Sequence, residues 1–175
     1  MMENIQTKRL LLRPFVESDL ADFYAFVGDA QSAHSAGFQY AHSESDAAYM
    51  LKSLTKKKIF AIVELRTQRV IGSIGLYPRM GNDGLQEPRT ADLGYVLNRS
   101  YWGQGYMTEA GQALIKALFD QNELDTIWAS HLQDNQRSKR VIQKLGFHYV
   151  DAFTHSQTAL FQPGATELIY RRDRE

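Results

Sequence analysis

GYVLNRSYWGQGYMTEA, residues 94–110, decides the fold, because a strand runs through glycines directly into a helix. Gly103 and Gly105 let the backbone turn tightly and come close to a ligand. The helix behind them opens with unpaired N–H groups at the positive end of its dipole. Such a turn suits a pyrophosphate. A lone Gly-x-Gly carries little weight by itself, since most serve a tight turn and nothing more. No Lys-Ser/Thr follows the glycines as in a nucleoside triphosphate loop, and GQGYMT (103–108) lacks the third glycine of a dinucleotide fingerprint. The surrounding chain has to decide.

Downstream, a helix from about Thr108 to Gln121 carries Ala110, Leu114, Ala117 and Leu118 on one stripe. A strand TIWASHL (126–132), a helix from about Asn135 to Leu145 capped by Gly146, and strands at 147–154 and 165–173 follow. Upstream, KRLLLRPF (8–15) reads as a strand that Pro14 ends or confines to an edge. Ser18 reads as the N-cap of a helix holding Leu20, Phe23, Tyr24 and Val27, and 29–43 reads as a loop. A second helix starts near Ser43 or Ser45. The run Lys56, Lys57, Lys58 at its end reads as a solvated helix terminus, not a phosphate site. IFAIVEL (59–65) and VIGSIGLYP (70–78) form a hairpin, and 80–89 is a loop. The order is mixed α/β without repeat or linker, which predicts a single domain over 1–175.

Twenty basic and twenty acidic residues cancel to a formal charge of +0, so nucleic acid is not an expected partner. With no cysteine the chain has no disulfide, no thiolate-held metal and no acyl-thioester of its own, and no metal is expected. MMENIQTKRLLLRPF (1–15) has three consecutive leucines, far short of a signal peptide or membrane helix. A cytoplasmic location without membrane attachment is the expectation.

DLGYVL (92–97), WGQGY (102–106) and TEA (108–110) together resemble the coenzyme A loop of the GNAT superfamily of N-acetyltransferases. The resemblance is narrower still to the RimJ/RimL-like branch, which acetylates ribosomal-protein N-termini. TKRLLLRPF (7–15), IGSIGL (71–76) and NQRSKRVIQKLGF (135–147) extend it over most of the chain, the last being similar to the family's Asn-x-x-Ser helix ending in Gly-Phe. Met107 departs from the usual Gly or Ala at the end of the loop, which implies a slightly wider cradle around the phosphates.

The resemblance implies a central, mostly antiparallel twisted sheet of about seven strands with a parallel β-α-β coenzyme A site, flanked by four helices. It implies acetyl-CoA as co-substrate and direct transfer to a primary amine, a protein or peptide N-terminal α-amine first. A small-molecule amine acceptor (polyamine, amino acid, aminoglycoside) and a non-catalytic coenzyme A-binding regulatory module stay open as alternatives. Trp102, Gly103, Gln104, Gly105, Tyr106, Met107 and Thr108 would surround the coenzyme, with the amides from Gln104 to Thr108 on the pyrophosphate. Backbone groups at Val96 and Leu97 would pair with the pantetheine arm, Asn135 would touch it, and Ser138 would serve the departing thiolate. Asp92 is the first candidate for the base and His131 the second, each with a plain structural reading beside it. A homodimer through the exposed final strands is a further expectation.

The acceptor must be neutral when it attacks. At neutral pH that costs about 4.6 kcal/mol for a lysine with pKa ~10.4 but only about 1.4 kcal/mol for an α-amine with pKa ~8. An α-amine therefore needs only a modest base.

Overall fold

The computed structural model describes residues 4–54, 58–160 and 162–175. Along the chain lie β1 (Ile5–Gln6), β2 (Leu10–Pro14), α1 (Leu20–Val27), α2 (Ala30–Ala36), α3 (Glu44–Leu54), β3 (Ile59–Glu64), β4 (Arg69–Met80), β5 (Gln86–Leu97), α4 (Tyr106–Asp120), β6 (Thr126–Leu132), α5 (Gln136–Lys144), β7 (His148–Thr154) and β8 (Thr166–Asp173). The strands form one sheet in the order β1-β2-β3-β4-β5-β6-β8-β7. Every neighbouring pair is antiparallel except β5 with β6.

Helices cover both faces of the sheet over its central strands, which alternate between two cores, while β7 is exposed along its length. In β3, Phe60 and Ile62 join the core under α4 and α5, while Ile59, Ala61 and Val63 join the core under α1 and α3. That is why IFAIVE is buried throughout instead of alternating with polar residues. The first core is built around Leu114, Ile115, Leu118 and Ile142, the second around Phe23, Phe26 and Leu51. Among the described residues no helix is long and apolar enough to cross a membrane.

Several boundaries differ from the sequence reading, each for a local reason. The stretch 29–43 holds a helix, α2. Asp29 caps it by accepting from the Ser32 N–H at 2.9 Å, and Gly37 ends it at φ +82°. Its Ala/Ser composition carries no apolar stripe, so periodicity could not reveal it. Ser18 does not cap α1: a 3-10 turn over Glu17–Asp19 precedes it, and Asp19 is buried, accepting both Arg13 guanidinium nitrogens at 2.8 Å. The loop shrinks to residues 81–85 because β4 and β5 extend as a hairpin. With α2 and the short β1, the described residues form five helices and eight strands, not four and about seven. Lys56 and Lys57 lie outside the described residues, and Lys58 pairs with Glu123 at 2.5 Å.

Candidate active site

β5 and β6 run together only over Thr90–Asp92 and Thr126–Trp128. Beyond that, Leu93–Leu97 stays with β4 and Ala129–Leu132 stays with β8, so the two strands part like the arms of a V. The opening is part of a cleft of about 750 Å³. The Asn98 N–H donates to the Ile71 carbonyl at 2.8 Å, which fixes the phase of the strand. By two-residue alternation Val96 turns its main-chain groups to β4, where Ser73 is its Cα partner, and Tyr95 and Leu97 turn theirs to the gap. Trp102 Nε1 donating to the Leu97 carbonyl at 2.8 Å marks the same phase from the other side. Of the two residues expected to pair through their backbone, Leu97 therefore faces the gap, and Tyr95 takes the place of Val96. Val96 packs its side chain into the core under α1 and α3.

The other arm of the V ends at α5. Asn135 is its N-cap, accepting from the Ser138 N–H at 3.2 Å, and its Nδ2 donates to the Ser35 carbonyl at 3.1 Å. One side chain thus ties α5 to the end of α2 across the cleft. Ser138 Oγ lies 2.6 Å from the Tyr95 hydroxyl. Burial pushes the Tyr95 phenol well above its ordinary value, only partly offset by the Ser138 hydrogen bond, so it keeps its proton at neutral pH.

At the open end of the V, just past the last residue of β5, lies the glycine turn. Gly103 and Gly105 have φ +75° and +80°, and a Cβ at Gly103 would meet nothing within 4 Å. Conformation, not crowding, demands glycine here. Gly105 is the N-cap of α4 and gives it no side-chain cap. The acidic residue of that first turn is occupied elsewhere: Glu109 accepts from the Thr7 hydroxyl, from the Arg9 N–H and from Arg9 Nε. Arg9 Nη1 also holds the Gln104 carbonyl at 3.0 Å, and the Tyr106 hydroxyl donates to buried Glu64 at 2.5 Å. The turn is thereby pinned from outside, and no side chain caps the first N–H groups of α4. Gly103, Gly105, Tyr106, Met107 and Thr108 line the cleft with Trp102; Gln104 does not, and its side chain turns back to Ser100. Met107 is buried in the core under α4, so its bulk does not widen the cradle as expected.

Three basic residues flank this end. Arg137, Arg140 and Lys144 of α5 line the cleft, and Arg137 stacks on Trp102 at 3.7 Å. Their spacing places them along one side of the helix, a signal that was present in QRSKRVIQK but that the sequence reading passed over. An uncapped helix start beside three cations, leading into a free strand edge, fits a pyrophosphate with a long amide-bearing arm.

Residues 9–148 match the family described as the acetyltransferase (GNAT) domain. The chain belongs to the GNAT acetyltransferase family. It is 28% identical over 144 residues to the N-acetyltransferase YnaD of Bacillus subtilis, covering 82% of this chain and 81% of that one. In structure it is similar to a GNAT-family acetyltransferase from Bacillus anthracis, with TM-score 0.86 and 23% identity over 98% of this chain and 99% of that one. It is also similar to RimL, the ribosomal L7/L12 alpha-N-protein acetyltransferase in complex with coenzyme A, with TM-score 0.77 and 18% identity over 98% of each chain.

Two of the acetyltransferase's expected catalytic residues are not free. Asp92 does not line the cleft and is paired with Arg79 at 2.8 Å. Burial raises its carboxyl above the ordinary value in spite of that arginine. His131 is buried on the α4 and α5 side, with Nε2 3.0 Å from the Tyr170 hydroxyl and Nδ1 2.7 Å from the Leu132 carbonyl. Both ring nitrogens are taken, and His131 does not line the cleft, so its structural reading is the one the geometry supports. Tyr95 and Glu167, which the sequence reading did not single out, do line it.

Proposed function

We propose that this acetyltransferase carries acetyl from acetyl-CoA directly to a primary amine, and that its acceptor is a protein or peptide N-terminal α-amine. The observation that carries the reading is the parting of β5 from β6 in front of an uncapped, cation-flanked helix start. The amides opening α4 would hold the pyrophosphate, with Arg137, Arg140 and Lys144 beside it. Main-chain groups of Tyr95 and Leu97 would hold the pantetheine arm. The coenzyme supplies an activated acetyl thioester; the chain's own groups orient it and manage protons. The Leu97 N–H, which faces the gap, would donate to the acetyl oxygen as charge builds there. Ser138, backed by the protonated Tyr95 hydroxyl 2.6 Å away, would donate to the departing sulfur.

The α-amine preference rests on the mouth of the cleft. Phe38, Met50 and Leu54 from the helical side give it an apolar wall, and among the described residues Glu167 is its one acidic lining group. A single cation attached to a residue with an apolar side chain suits that surface, whereas a polyamine or aminoglycoside would bring further charges that find no carboxylate. RimL's described action on a protein α-amine agrees. Mass spectrometry of acetylated products tests it. Peptides with a free α-amine should show kcat/KM on the order of tenfold or more above N-blocked lysine peptides and spermidine. The reverse order would move the assignment to a side-chain or small-molecule acceptor.

A further inference from the structure

We infer that Glu167 binds the acceptor's ammonium group and takes its proton, and that His155 acts as the positioning residue for the Glu167 carboxylate. The inference deepens the reading above and rests on it. Glu167 belongs to β8, where its neighbours in sequence Leu168 and, two further on, Tyr170 fall into the core under α4 and α5. Alternation therefore turns Glu167 to the opposite face, towards α2 and α3, where the cleft opens. Its two oxygens are held apart and in place: Oε1 lies 3.1 Å from His155 Nε2, and Oε2 accepts from Ser130 Oγ at 3.3 Å.

His155 is itself fixed. Its backbone N–H donates to the Ala165 carbonyl at 2.8 Å, and its ring meets Phe153 edge-on at 5.4 Å. Side-chain exposures of 23% for His155 and 31% for Glu167 leave the pair half-sheltered, open both to an acceptor and to water. The competing carboxylate on the same face, Asp92, is close enough for Glu167 to push it further up, but Arg79 binds it, and Arg79 also stacks on Trp128 at 4.0 Å. Glu87 lies beyond, 3.7 Å from Arg79. Arg171, a second cation beside Trp128, sits over that ring and pairs with Asp173. Among the described residues Glu167 pairs with His155 and with no lysine or arginine, so an arriving ammonium would be its first cation of that kind.

Proton and electron bookkeeping is simple. The ammonium gives one proton to Glu167, and the freed lone pair forms the C–N bond to the acetyl carbon. The C–S bond breaks and its electron pair leaves on sulfur. Of the ammonium's protons one stays on the amide, one ends on sulfur, and one passes through Glu167 to water.

Glu167→Gln and Glu167→Asp, made in the full chain, test the proposal beside His155→Gln. Thermal shift with acetyl-CoA comes first and should be unchanged in all of them, since none touches the coenzyme end. Glu167→Gln should then lower kcat/KM for an α-amine peptide about 100-fold, with Glu167→Asp recovering part of it. The deficit should shrink towards unity with an arylamine acceptor, which is already neutral at assay pH. Peptide binding to the dead-end complex with desulfo-coenzyme A should weaken in Glu167→Gln, a readout independent of turnover. His155→Gln should displace the acid limb of the pH profile without abolishing it. A Glu167→Gln variant within twofold of wild type, or an equal loss with arylamine and peptide, overturns the inference. A wild-type chain with no thermal response to acetyl-CoA overturns instead the reading on which it stands.

Discussion

Gly105 is held at φ +80° where α4 begins, and no side chain supplies what its flexibility supplies. A β-branched residue in the left-handed region costs about 1–2 kcal/mol, and relief of that strain would swing the amides of the turn away from the cleft. Gly105→Val should therefore fold but raise the Kd for coenzyme A by about tenfold or more, measured by calorimetry. Tyr95 acts on the strand that leads into the same turn. Tyr95→Phe removes the hydroxyl 2.6 Å from Ser138 Oγ while leaving the ring in place. Steady-state kinetics should show kcat reduced about tenfold with KM for acetyl-CoA nearly unchanged. Both residues stand in motifs that are legible by eye, Trp-Gly-x-Gly and Gly-Tyr. Only the glycine's reason is local. The role of Tyr95 depends on which way β5 is phased, and that depends on β4.

At the scale of elements, α4 is held to the sheet by two carboxylates. Glu64 on β3 accepts from the Thr67 and Tyr106 hydroxyls, and these hydrogen bonds keep its carboxyl below the ordinary 4.5. Burial works to raise Glu109, but hydrogen bonds from Thr7 and Arg9 prevail and hold it below 4.5 as well. Carboxyls depressed on folding contribute stability that is present in full above their unfolded pKa and lost as pH falls through the folded one. The melting temperature should accordingly hold above pH 4.5 and decline below it. Glu64→Gln should flatten that decline and cost about 1–2 kcal/mol at neutral pH, as followed by denaturant melts. In the sequence, TEA read as part of a family motif. Why a glutamate belongs there emerges only from Arg9 and Thr7, a hundred residues away. α2 shows the opposite failure: its Asp29 cap and Gly37 stop were legible, but a helix of seven residues without an apolar stripe gives periodicity nothing to detect.

The molecule as a whole is a sheet in two parts, joined at the parallel contact of Thr90–Asp92 with Thr126–Trp128. A ligand lying between β5 and β6 would bridge the parts and bind the folded chain alone. At about 100 times its Kd such a ligand adds about 2.7 kcal/mol, which for a domain of this size raises Tm by about 5–10 °C. Acetyl-CoA should produce that shift, and ATP or NAD at equal concentration should not.

The sequence by itself determined the family, the order of elements apart from β1 and α2, and the glycine turn, because each is written in neighbouring residues: a strand's alternation, a helix's stripe, a backbone position only glycine accepts. It marked a coenzyme loop by its motif and offered Asp92 and His131 for the chemistry, which are suitable by type. In the folded sheet both have partners. Arg79 on β4 occupies Asp92, Tyr170 and the Leu132 carbonyl occupy His131, and Glu167, ordinary in its own stretch, is carried by β8 to the cleft. Whether a carboxylate or imidazole is free to act depends on partners distant in sequence, and only the folded sheet assigns them.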